Sequence, residues 1–120
     1  MTMKTHGKIG YRRDEFRKIF QIYSHYVYKG LFKDFSFAEI DGRYFISFRE
    51  AAGQTPLITV EKKSLGPDRS LFVATAPNGQ GTLSEIARSE KIDSFVDQLK
   101  QRIEKVALNR KNGQVISFSK

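Results

Sequence analysis

Arg43, Phe45, Ser47 and Arg49 alternate along the stretch RYFISFR. In an extended chain successive side chains point to opposite faces, so these four share one face. A phenyl ring flanked two residues each way by guanidiniums suits non-covalent chemistry. The ring offers a π-surface to a nucleobase and the cations reach the phosphates around it, at about 1–3 kcal/mol per stacked base. Bond-breaking chemistry finds no comparable constellation. His6 lies in an N-terminal stretch without periodicity and His25 on a polar stretch of helix, and neither has the neighbours that orient a general base or complete a metal site. Asp14-Glu15 opens a predicted helix, where the dipole favours negative charge, so capping accounts for the pair. Glu39 and Glu61 fall on separate predicted strands. The segment PNGQGT lacks the lysine and hydroxyl of a phosphate-binding loop and reads as a turn. There is no cysteine, which excludes disulfides, thiolate metal sites and cysteine nucleophiles. A non-enzymatic protein without metal or cofactor is therefore expected.

The elements that hold these residues follow from periodicity. From Arg12 to Lys29 the residues Phe16, Ile19, Phe20, Tyr23 and Val27 recur at steps of three and four, the mark of an amphipathic helix, and Gly30 suits its C-terminal stop. Arg13, Arg17, Lys18, Gln21 and Ser24 fall on its polar side. Phe35–Ile40 and Arg43–Arg49 are joined by Asp41-Gly42, a two-residue hairpin turn that pairs Ile40 with Arg43, Ala38 with Phe45 and Phe35 with Phe48. One face of that ribbon presents Phe35, Phe37, Tyr44, Ile46 and Phe48 as core; the other presents the Arg43–Phe45–Ser47–Arg49 row beside Ser36, Ala38 and Ile40. Of the tyrosines near the helix end, Tyr26 and Tyr28 cannot share a helical face, so one must be exposed. After the turn AAGQTP, further strands are expected at Leu57–Lys62 and Ser70–Ala76, with a loop KSLGPDR between them and a short fifth strand at Thr82–Ile86. Residues Glu90–Leu108 carry the cleanest helical stripe, Ile92, Phe95, Val96, Leu99, Ile103 and Val106, with Ser89 as N-cap. The tail ends in QVISFSK, a short added strand or an unstructured end. This order of elements is that of an α+β domain: helix, four- or five-stranded antiparallel meander, long C-terminal helix, in two layers with both helices on one sheet face. The organisation is a flexible basic arm at 1–10, a single domain at 11–108 and a basic tail at 109–120.

Charge is unevenly spread. Of the net +8 over 120 residues, residues 1–33 hold eight bases against two acids, residues 34–106 ten against eleven, and the tail three bases and no acid. A basic excess at both ends favours an acidic partner, nucleic acid foremost. No apolar run has the length of a signal peptide or a membrane span, and a cytoplasmic location is expected.

Residues 11 to about 87 resemble a bacterial family built on a domain of unknown function, found mainly in alphaproteobacteria. The likeness is carried by YRRDEF at the start of the first helix, IFQIYSHYVYKGLFKDF across its end, FISFRE in the second strand and PLITVEKKSL in the third. It implies a shared fold and no activity. Separately, a meander followed by a helix resembles the layout of single-stranded nucleic-acid binders of the Whirly and PUR type.

The favoured reading is a binding domain for single-stranded or structured nucleic acid, with Arg12, Arg13, Arg17, Lys29, Lys33, Arg43, Phe45 and Arg49 as the contact residues. Two competitors stand beside it. In one, Phe45 is covered and the arginines pair with nearby acids. In the other, the same face is a protein-interaction surface, for an acidic partner or for a homodimer.

Overall fold

The computed structural model describes residues 10–50, 57–78 and 80–111, with side chains as far as Lys105. Its elements are helix α1 (Arg13–Tyr28), strands β1 (Asp34–Ile40), β2 (Arg43–Arg49), β3 (Ile58–Gly66), β4 (Arg69–Pro77) and β5 (Leu83–Ser89), and helix α2 (Ile92–Lys111). The strands form one antiparallel sheet in the order β1-β2-β3-β4-β5. This is the expected α+β meander with its fifth strand present. The expected arm at 1–10 and the tail strand QVISF lie outside the described residues, Gly10 excepted; α2 runs three residues beyond the expected boundary at 108.

The β1–β2 register agrees pair for pair with the one that the Asp-Gly turn imposes, from Ile40 opposite Arg43 to Phe35 opposite Phe48. Asp41 and Gly42 take φ of 52° and 76°, the left-handed pair that matches the twist of a two-residue hairpin. One face of the sheet carries Phe35, Phe37, Ile46, Phe48, Ile58, Val60, Phe72 and Ala74, and both helices pack on it. Helix α1 covers the β1 side, with Phe16 stacked on Phe37 at 5.4 Å and Tyr23 tilted against Phe35 at 4.8 Å. Helix α2 covers the β4–β5 side, with Phe95 against Phe72 at 5.7 Å.

The buried stripe of α1 is rotated from the one the sequence suggests. Glu15, Ile19, Ile22 and Tyr26 are buried, while Phe20 and Val27 are each 39% exposed. The helix has two neighbours, the sheet beneath and α2 beside it. Its apolar arc therefore turns toward α2, and the flank bearing Phe16, Phe20 and Tyr23 is left over the edge strand β1. Of the two tyrosines that cannot share a face, Tyr26 is buried and Tyr28 is 91% exposed.

The β3–β4 loop is tighter than expected, because both strands run on to a turn at Pro67-Asp68 in which Asp68 takes φ of 60°. Strand β5 reaches Ser89 rather than ending near Ile86, and a register shift opposite Ala74 and Thr75 turns both Ile86 and Ala87 inward. Ser89 is not the N-cap expected: α2 starts at Ile92, the Lys91 carbonyl accepts the Phe95 N–H at 2.9 Å from the N-cap position, and the Ser89 hydroxyl accepts the Lys91 N–H at 3.0 Å in the turn before it.

Two glycines test this geometry. A Cβ at Gly42 meets nothing within 4 Å, so Gly42→Ala carries only the left-handed backbone penalty of about 1 kcal/mol, a fall in Tm of a few degrees. At Gly10, with φ of 80°, the added Cβ stands 2.5 Å from the Tyr44 ring, and Gly10→Ala is expected to lower Tm distinctly further in the same thermal melts.

Candidate functional site

The sheet face away from the helices carries the row read from the sequence, but its arginines are not free. Arg43 Nε and Nη2 donate to both oxygens of Glu61 at 2.6 and 3.0 Å, a two-pronged pair that fixes the guanidinium plane. The same guanidinium lies over the Phe45 ring, 5.2 Å from its centroid, so the ring is half-buried beneath its own neighbour. Arg49 Nη1 lies 3.2 Å from an Asp34 oxygen and donates to the Ser36 hydroxyl at 2.6 Å. Glu61 and Val73, at the centre of this face, are buried. Arg12 likewise engages Asp14 at 3.2 Å and Glu15 at 3.4 Å. The Arg12–Asp14 hydrogen bond holds the Asp14 carboxyl below its usual range. Three of the seven cations expected to contact a ligand are thus neutralised in place.

The remaining four make no ion pair among the described residues: Arg13, Arg17, Lys29 and Lys33. Arg13, Arg17, Ser24 and Tyr28 are exposed at positions i, i+4, i+11 and i+15 of α1, which places them along one outward line about 22 Å long. Lys29 ends the helix and Lys33 precedes β1, both exposed.

What aims this line outward is a buried knot beneath the first turn of α1. The Glu15 carboxylate accepts the Arg12 backbone N–H at 2.8 Å, satisfying one free donor of the helix start, and the Lys62 ammonium at 2.7 Å. Lys62 also donates to the Gly10 carbonyl at 3.0 Å and lies 5.8 Å from the ring centroids of both Tyr11 and Phe72. Tyr11 is fully buried, and its hydroxyl donates to the carbonyls of Tyr44 and Val60 at 3.1 and 3.4 Å. Burial pushes the Tyr11 phenol well above its ordinary value, and the Glu15 and Glu61 carboxylates add to the effect. The expected capping role of Glu15 is present, and Lys62 is a functional partner that the sequence reading did not single out. A lysine on the core side of a strand is the signal that was available, since such a charge must find a partner.

Between the helices runs a groove of about 720 Å³, lined among others by Lys18, His25, Tyr26, Asp93, Lys100 and Glu104. Lys18 pairs with Asp93 at 2.6 Å and the Tyr26 hydroxyl donates to Glu104, so the groove is a seam holding α1 to α2. His25 sits on its rim, edge-on to Tyr26 at 4.8 Å. His6 lies outside the described residues. Among the described residues no group of three or more His, Cys, Asp and Glu side chains is placed to hold a metal ion, and no helix is long and apolar enough to cross a membrane. Comparisons with protein-family models, with curated proteins and with solved structures found no match.

Removing one partner of the buried pair strands the other. Lys62→Met is expected to lower stability by about 3 kcal/mol, read from the urea midpoint; Arg69→Ser, which breaks an exposed pair with Glu90, leaves that midpoint almost unmoved. The Tyr11 phenol gives a pH test. The folded protein holds this proton more tightly than the unfolded chain, whose phenol titrates near 10.0, so its contribution is complete below that pH and is lost as pH rises above it. Tm should therefore fall above pH 10, and Tyr11→Phe should make that fall shallower. A slope unchanged by the substitution would place Tyr11 elsewhere.

Proposed function

We propose that this protein is a non-enzymatic binding domain for single-stranded or structured nucleic acid, and that it presents the outward face of α1 to the phosphate backbone. The observation that carries the reading is the division of the cations. Arg43 and Arg49 are engaged by carboxylates on the sheet, whereas Arg13, Arg17, Lys29 and Lys33 have no acidic partner among the described residues and follow one helix and its C-terminal end. A guanidinium already held by two carboxylate oxygens gains little from a phosphate, because the first contact must be given up. An exposed, unpaired one releases counterions on binding, which is the main source of affinity for a polyanion. Tyr28, almost fully exposed within this line, supplies a ring on which a base can stack. The net charge of +8 acts in the same direction by steering an anionic partner to the surface.

Contact by way of the helix revises the role expected of Phe45, which lies under Arg43. The same four cations would attract an acidic protein, and salt separates the two classes, since counterion release makes nucleic-acid affinity fall linearly on logarithmic axes. In fluorescence anisotropy with labelled oligonucleotides, the double variant Arg13→Ser with Arg17→Ser is expected to weaken binding to all sequences alike and to flatten the salt slope by roughly 1.5. Arg43→Ser is expected to leave that slope unchanged. Loss of binding with Arg43→Ser and not with the double variant would return the contact to the sheet face.

A further inference from the structure

The two edges of the sheet are finished differently. At β5 the backbone is closed off: the Gln98 side chain of α2 accepts the Arg88 N–H at 2.9 Å and donates to the Arg88 carbonyl at 3.0 Å, and the register is already broken by the shift opposite Ala74 and Thr75. These are means by which proteins block further strand pairing. β1, with the sequence DFSFAEI, has no proline, no lysine and no bulge, and among the described residues no strand lies beyond it.

Which of its backbone groups are available follows from the hairpin. The Arg49 carbonyl accepts the Lys33 N–H at 2.8 Å and so points toward β1, while the Phe48 carbonyl accepts the Leu57 N–H at 2.8 Å and points toward β3. These directions alternate along a strand, so Asp34, Ser36, Ala38 and Ile40 spend their groups on β2. The N–H and C=O groups of Phe35, Phe37 and Glu39 point to the open side.

We infer that two copies of this chain join β1 to β1 antiparallel about a two-fold axis at Phe37. This register sets Phe37 opposite Phe37 and Phe35 opposite Glu39, and it alone uses all three outward-facing residues of both copies. Side chains remain on matching faces, so the half-buried rings of Phe35 and Phe37, with the 39%-exposed Phe20 on the same flank, continue into their counterparts. Charge agrees with the alignment. Lys33 of one copy falls diagonal to Glu39 and opposite Asp41 of the other, twice by symmetry, and none of these three residues has an ion pair among the described residues. Asp34, the other acid on the strand, is already neutralised by Arg49. The inference does not rest on the nucleic-acid reading; in the dimer Lys33 is engaged at this contact, and Arg13, Arg17 and Lys29 remain as the phosphate-facing cations.

Sedimentation equilibrium of the full chain between roughly 1 µM and 1 mM tests it. The unsubstituted protein is expected to form a dimer. Glu39→Pro, which removes an edge N–H without touching the bonds to β2, and Glu39→Lys, which sets lysine beside Lys33 of the other copy, are each expected to raise the dissociation constant about tenfold or more. Combining Lys33→Glu with Glu39→Lys and Asp41→Asn, the last to keep two acids from standing opposite each other, is expected to restore the dimer, which general damage to the fold would not. A monomer across the whole range overturns the inference, and so does a dimer whose affinity ignores all three variants.

Discussion

An ammonium taken out of water must be met by a carboxylate, and the architecture of this protein is organised around one such meeting. Lys62 rises from the core side of β3 beside the rings of Tyr11 and Phe72, where charge survives only if it is paired. Glu15 supplies the partner and at the same time closes the first turn of α1. The helix is thereby fixed in both position and rotation at its N-terminus, with Ile19, Ile22 and Tyr26 turned inward and Arg13 and Arg17 turned out. At the other end the Tyr26–Glu104 hydrogen bond, the stacking of Tyr23 on Phe32 and its tilted contact with Phe35 keep the same rotation.

Pairing also decides which charges can act on anything else. The protein is basic overall, yet the arginines of the sheet are spent on internal contacts: Arg43 with Glu61, Arg49 with Asp34. The Glu61 contact occupies the fork of the Arg43 guanidinium, the part that recognises phosphate, and Arg49 is held through Nη1 by Asp34 and Ser36. Of the seven cations expected as contacts, the unneutralised four lie on α1 and its exit, while Lys63 on β3 and Lys91, Lys100 and Lys105 at or on α2 likewise carry no ion pair among the described residues. Layout shared with sheet-based nucleic-acid binders does not by itself fix where a recognising surface lies.

The legible part of the fold was local. Asp41-Gly42 determines a turn, the turn determines a register, and the register separates Phe35, Phe37 and Phe48 from Arg43, Phe45 and Arg49 without any knowledge of the rest. The Asp34–Arg49 pair was within reach by the same logic, since extending that register by one residue sets the two opposite each other. Glu61 was not: it stands opposite Phe45 only because β3 pairs with β2 in one register, and the six residues of AAGQTP do not specify which. The rotation of α1 was hidden for a related reason. Helical periodicity finds an apolar stripe but cannot tell that a second helix will share it, and that second helix draws Ile22 and Tyr26 inward at the expense of Phe20 and Val27. Lys62 was overlooked because its partners are one strand and one helix start that lie far apart in sequence.

On the proposed reading the unpaired cations of α1, and not the arginines of the sheet, form the contact surface. It is tested most directly by following backbone amide resonances while an oligonucleotide is added at low salt. Expected are shifts at Arg13, Arg17, Tyr28 and Lys29 that disappear as salt is raised, with Arg43, Phe45 and Glu61 unmoved. Shifts confined to Arg43, Phe45 and Arg49, or no shift anywhere, would contradict it.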